Sequence, residues 1–307
     1  MKLSSKKSWF VGLAAALMAS APAAAQQAAS APSVSYIHAG RLLADPATGR
    51  VTRNQTLVVE NGRVREIVNG FVGQGQGEVV DLSDKFVLPG LIDSHVHITN
   101  QQGEGNRVAR FTNTAADSAV QGAAYALVTL RAGFTTVADL GGASDAVIAL
   151  RNGIAAGKIP GPRLLVSAGT VTPHGGHGDA NGVNSALVPV LRQNGVCSGA
   201  DDCRRSVRER VRAGADIIKI TATGGVLSDT GAGLNQQFSN EELQAIVETA
   251  HFMGRTVTAH AHGTDGINSF LRAGGDSIEH GTFLDDESIR IFMANNGWLV
   301  PTLLAGD

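Results

Sequence analysis

The chain has 307 residues, a formal net charge of −2 and 38 glycines, which suits one large domain or a large one with a small companion. Such a mild acidic balance gives no electrostatic reason to expect a nucleic-acid partner. Losing Lys2, Lys6 and Lys7 with a leader would take the net charge to −5.

Residues 1–25 read as a secretory signal. The three lysines form a basic start, and Trp9 to Ala19 an apolar core short of the ~20 residues of a membrane span. Ala23-Ala24-Ala25 supplies small residues for cleavage before Gln26. The alternative is an uncleaved anchor. Cleavage predicts a periplasmic or secreted chain with no stable membrane span. Residues 26–35, rich in Ala, Pro and Ser, read as a linker.

Residues 36–85 carry short β patterns: Tyr36 to Leu43, Gln55 to Glu60, Arg63 to Val68 and Val79 to Leu82. Asn61-Gly62 between the middle two is a strong hairpin signal. This segment predicts a small N-terminal β-sandwich lobe. Phe86-Val87-Leu88, bounded by Pro89 and Gly90, predicts the buried strand that opens the next domain.

From there strands alternate with helices. Gly133, Gly161, Gly214, Gly254, Gly274 and Gly297 each precede an apolar run, as expected just past a helix end. Counting the opening strand, this gives seven strand units. Strand–helix alternation implies a parallel sheet with right-handed crossovers. An open doubly wound sheet and a TIM-type (β/α)8 barrel both fit this α/β pattern. No Gly-rich phosphate loop follows an early strand. Polar residues recur instead at the C-terminal strand ends: His97, Asp139, Lys219, His260 and His280. Barrel enzymes place their sites at that rim. Residues 86–307 therefore read as a barrel that lacks its eighth strand.

His95 and His97 stand two apart, so on a strand they share a face and form half of a metal site. Lys219, His260 and His280 would converge on the same rim. His262, in Thr258-Ala259-His260-Ala261-His262, shares with His260 the reading of a satisfied rim residue. Lys219 lies between Ile218 and Ile220. Burial lowers a lysine pKa, and the neutral amine can take up carbon dioxide as a carbamate able to bridge two metals. Pairing with a carboxylate is the alternative. His177, in the loop His174 to Asp179, could meet a substrate carboxylate or carbonyl, or simply fix its loop. Gly225 could let substrate approach the backbone. Cys197 and Cys203 lie close together and read as a loop-closing disulfide in an oxidising compartment, with reduced thiols the alternative. Arg204, Arg205, Arg208, Arg210 and Arg212 read as a solvated helix face.

Leu88 to His97 resembles the opening signature of the amidohydrolase superfamily. Lys219 to Ser228 resembles its Xaa-Pro dipeptidase-like and metallo-carboxypeptidase branch, near imidazolonepropionases and ochratoxin-cleaving amidases. The resemblance covers residues 36–307. It implies two zinc ions, with other divalent metals possible. His95 and His97 would hold the first, Lys219 as carbamate would bridge, and His260 and His280 would hold the second. It also implies hydrolysis of amide bonds in dipeptides or N-acyl amino acids. In this family an Asp ending strand eight binds the first metal, and Asp307 comes too soon after strand seven to replace it easily. A truncated, inactive remnant is therefore one competing expectation. Another is a single-metal deaminase or cyclic-amide hydrolase. An open barrel edge leaves a homo-oligomer possible.

Overall fold

A computed structural model describes residues 33–101, 103, 106–192, 195–225, 228 and 233–303. The expected signal, most of the linker and Asp307 lie outside them. The chain divides into two compact units, with the boundary between Pro89 and Gly90.

The first unit is a sheet of β1 (Val34–Leu43), β2 (Val51–Glu60), β3 (Arg63–Asn69) and β4 (Glu78–Val87), in the order β3-β2-β1-β4. Asn61 and Gly62 both have positive φ, 51° and 74°, as the β2–β3 hairpin turn requires. β4 then adds beside β1 in parallel. Three expectations change here. Val34 and Ser35 pair with Glu60 and Val59, so β1 starts inside the expected linker. Phe86 and Val87 pair with Arg41 and Leu42, so that apolar run ends β4 and does not open the second unit. Among the described residues the unit forms one four-stranded sheet where two sheets were expected. Alternation marks a strand but does not say which sheet the strand joins.

The second unit opens with β5 (Leu91–Val96), α1 (Asn106–Thr112), α2 (Ala115–Arg131), β6 (Phe134–Asp139), α3 (Ser144–Ala155) and β7 (Arg163–Val166). β8 (Thr170–Pro173), α4 (Val188–Leu191), β9 (Val196–Cys197), α5 (Ala200–Ala213) and β10 (Ile218–Thr221) follow. It continues through α6 (Asn240–Phe252), β11 (Val257–Ala261), α7 (Thr264–Arg272), β12 (Ser277–His280), α8 (Asp286–Asn295) and β13 (Trp298–Val300). All its strand pairs are parallel, in the orders β5-β6-β7 and β13-β12-β11-β10-β8-β9.

Local chemistry explains the boundaries. Thr114 with Asp117, Ser239 with Glu242, and Asp285 with Ser288 form capping boxes at α2, α6 and α8. Gly214 ends α5 in the left-handed conformation, φ 104°. At α8 that position falls to Asn296, not Gly297, and after α3 Gly157 takes positive φ well before Gly161. The aspartates just before β10 and β12 each reach back to an earlier strand. Asp216 accepts from the Val166 N–H and Asp276 from the Val257 N–H.

The third strand unit is broken. β7 pairs with β6 and β8 with β10, and Ala168 and Gly169 between them both have positive φ. Ser144 Oγ and Arg210 Nη1 clamp this bend, donating to the Ala168 carbonyl at 2.5 and 2.6 Å. Arg210 is thus buried and structural, not part of a solvated face. Its neighbours Arg204 and Arg205 do pair with the helix's own acids, Asp201, Asp202 and Glu209, none of them buried.

The central strands alternate although both their faces are buried. Ile218, Ile220, Val257, Ala259, Ala261 and Ile278 form one side, in a core with Leu243, Ile246, Phe270 and Leu271 of the helices. The register places Lys219 beside Thr258 and Thr170, and His260 beside Thr221 and Glu279, on the other side. That second face is a buried polar layer running across four strands. Cys197 and Cys203, joined in a disulfide, sit within the core.

Candidate metal centre

The polar layer ends in a cluster of imidazoles. His95 lies on β5 and His97 just past its end, with ring centroids 5.4 Å apart. His280, ending β12, lies 5.2 Å from His95 and 4.6 Å from His260. His262 lies 4.7 Å from His260 and 4.8 Å from His280. His177 stacks on His260 at 4.3 Å. One continuous set of ring contacts thus joins six histidines from three strand ends and one loop. The ligand atoms of His260, His262 and His280 all fall within 4.8 Å of one another.

Burial keeps these rings neutral. It lowers the pKa of His97 to about 4, and repulsion from a proton on His95 and from the Lys219 ammonium acts in the same direction. His280 falls to about 3 for the same first reason, with Lys219 next. His95, His177, His260 and His262 shift the same way, burial again the largest cause. Neutral imidazoles offer the lone pairs that a transition-metal ion takes.

Partners behind the rings fix their directions. His95 Nδ1 lies 2.7 Å from Glu279 Oε2, and His262 Nδ1 2.8 Å from Thr282 Oγ1. His280 Nδ1 meets Thr302 Oγ1 and His177 Nδ1 meets Ser228 Oγ, both at 2.6 Å. Metal-ligating histidines characteristically use the second ring nitrogen in this way. His280 also holds a left-handed φ of +72°, strained for a residue with a side chain. Two glycines make room. A Cβ on Gly141 would lie 2.2 Å from His97 Nδ1, and one on Gly225 2.4 Å from His260 Nε2.

Lys219 is 4% exposed, and among the described residues nothing hydrogen-bonds to its ammonium. Burial lowers its pKa from 10.5 to about 8, opposed by the Glu279 carboxylate. A nitrogen donor set, neutral rings, room cleared by glycines and one reactive amine together fit divalent metal. Asp139 ends β6 beneath this cluster. It accepts from the Ile98 and Gly141 N–H groups, and burial raises its carboxyl to about 7.

The structure brings together His95, His97, His260, His280 and His177, with Lys219 on the same polar layer. Gly225 packs against His260 and His177, and its N–H donates to Ser228 Oγ. The His177 N–H donates to Gln237 Oε1, and Arg192 pairs with Asp179 to brace the same loop. Sequence reasoning left out His262 and Glu279 as site residues. His262 repeats the two-residue spacing of His95 and His97, which is the signal that finds it. Glu279 is a lone carboxylate between Ile278 and His280 on a buried strand.

The amidohydrolase family profile matches residues 86–306. The chain belongs to the amidohydrolase family. Ochratoxinase from Aspergillus niger is 30% identical to this amidohydrolase over 309 aligned positions, covering 86% of this chain and 61% of the fungal one. The chain therefore spans about three fifths of the length of that curated relative. A Xaa-Pro dipeptidase crystallised with methionine in its active site superposes with a TM-score of 0.82 at 38% identity. That match covers 89% of this chain and 68% of the dipeptidase. A prolidase complexed with N-methylphosphonate-L-proline gives 0.78 at 30% identity, over 88% of this chain and 66% of the prolidase. These neighbours place the amidohydrolase in a dipeptidase-like branch.

Proposed function

We propose that this chain carries the metal centre of a zinc-dependent amide hydrolase acting on dipeptides or N-acyl amino acids. The observation that carries the reading is the cluster of neutral histidines at the end of the polar layer that holds the unpaired Lys219. We read residues 90–303 as a (β/α)8 barrel, seven of whose strand units lie among the described residues; the polar face is then its interior.

His95 and His97 would hold the first metal and His260 and His280 the second, with His262 in reach of the second. When bound, a pair of divalent cations supplies hydroxide near neutral pH and polarises a carbonyl. The chain's own part is to present lone pairs without proton competition, because burial keeps the rings neutral. Lys219, with its lowered pKa, gives up its proton more readily than an exposed lysine. Its nitrogen bonds to the carbon of carbon dioxide and releases one proton, leaving an anionic two-oxygen bridge. His177 stands over the cluster, where its free nitrogen can orient a substrate carbonyl or carboxylate. The substrate is a small molecule, and no nucleic acid enters. The disulfide supports a periplasmic or secreted location. Among the described residues no helix is long and apolar enough to cross a membrane.

The test is zinc per chain after loading with zinc and bicarbonate, followed by a panel of dipeptides and N-acyl amino acids. Two zinc ions, and turnover lost in Lys219→Ala, are expected. No zinc, or unchanged turnover in Lys219→Ala, overturns the proposal. A second reading has one metal on His260, His262 and His280, whose ligand atoms already converge. It belongs to a deaminase or cyclic-amide hydrolase. One zinc per chain with an unmodified Lys219 by mass spectrometry would favour it.

A further inference from the structure

Glu279 is 1% exposed, in the polar layer one residue before His280. Its carboxylate accepts twice. Thr258 Oγ1 donates to Oε1 at 2.6 Å, and His95 Nδ1 sits 2.7 Å from Oε2. An ionised carboxylate only accepts, so the imidazole nitrogen facing it carries the hydrogen. That leaves a lone pair on His95 Nε2, the form a metal needs. The other rings bonded through Nδ1 in this cluster, those of His177, His262 and His280, meet hydroxyls. A hydroxyl donates or accepts, so it does not select a tautomer. Among the described residues one further ring in the cluster meets a pure acceptor: His260 Nε2 lies 3.4 Å from the Gly224 carbonyl, whereas the His95 contact, at 2.7 Å, is shorter and is made to a carboxylate.

The bond also crosses the fold. His95 belongs to β5 and Glu279 to β12, strands of different sheets. On a regular strand Glu279 and His280 would point to opposite faces. The left-handed φ of His280 breaks that alternation, and both side chains reach His95: one by hydrogen bond, the other with rings 5.2 Å apart.

We propose that Glu279 is a positioning residue that holds His95 as its Nδ1–H tautomer and ties the first histidine pair to the strand carrying His280. Its consequence for metal rests on the two-metal reading; its effect on His95 does not. The full metal-free chain, labelled with 15N-histidine, would be examined by long-range 1H–15N correlation, with His95 assigned through His95→Asn. Wild type is expected to show hydrogen on Nδ1 and a bare Nε2. Glu279→Leu is expected to move the hydrogen to Nε2, and zinc bound after loading should fall by about one ion per chain with the circular dichroism spectrum retained. A wild-type His95 with hydrogen on Nε2 overturns the proposal. So does an unchanged tautomer in Glu279→Leu, or a variant that still loads two zinc ions as the wild type does. If Glu279→Leu does not fold, the wild-type spectrum alone decides. A wild type that binds no zinc yet shows the Nδ1–H form sinks the two-metal reading and leaves the positioning role standing.

Discussion

Replacing Lys219 by Met should make the metal-free protein more stable. The ammonium is 4% exposed and its pKa falls from 10.5 to about 8, chiefly through burial. A fall of that size corresponds to about 3 kcal/mol. Between pH 8 and 10.5 the unfolded chain binds more protons than the folded one, so stability rises with pH across that window. Below pH 8 both states are protonated and the full penalty applies. Above 10.5 both are neutral and it disappears. Met keeps the length of the side chain and carries no charge, so Lys219→Met should gain about 3 kcal/mol at pH 7. The gain should shrink steadily towards pH 10.5. Urea denaturation of both proteins, in chelator-treated buffer free of carbon dioxide, measures the difference directly. A variant that is less stable at pH 7, or a difference that ignores pH, would refute the account of Lys219 as a buried, unpaired amine. Loaded with zinc and bicarbonate, the order should reverse, because only the wild type gains a bridging ligand.

Gly141→Ala should drive a methyl into His97, costing ~1–3 kcal/mol of stability by overpacking and weakening zinc binding ~10–100-fold, read by competition with a chelating dye. Arg210→Met removes the clamp on the Ala168 carbonyl and should cost about 2 kcal/mol in urea while leaving zinc per chain unchanged; lost zinc would mean the bend matters to the centre. Cys197→Ser with Cys203→Ser should cost about 2 kcal/mol for so short a loop, and reduction of the wild type should match it. His97 and His280 stay neutral well below pH 6 and the other rings of the cluster shift the same way, so zinc loading should vary little between pH 6 and 8 except through Lys219, whose carbamate becomes harder to form as pH falls below about 8. A steep loss centred near the ordinary histidine pKa would contradict the burial argument.

The sequence made the strand units of the second domain readable because glycine stops and period-two apolar runs are local signals. Lys219, His260 and His280 stood out as polar residues at the ends of otherwise apolar strands. Features that depend on distant partners stayed hidden. Phe86 and Val87 look like an opening strand until their pairing with Arg41 and Leu42 is known. The break at Ala168 and Gly169 depends on Arg210, whose sequence context is an evenly charged helix. Glu279 meets His95 across 184 residues, and no spacing announces that. Gly225 leaves room that a Cβ would take from His260 and His177, a contact no local spacing announces.

The alternation within β11 also sets how this protein can vary. Thr258 and His260 serve the polar layer, while Val257, Ala259 and Ala261 hold the helices. Point substitutions can therefore retune one role and leave the other intact. A single-residue deletion in β11 cannot, because it exchanges the two faces. It would turn His260 toward Phe270 and Leu271 and deliver alanines to the metal centre. Lineages descending from this sequence should accept replacements within the central strands freely, while length changes there remain closed to them and collect in the connecting loops.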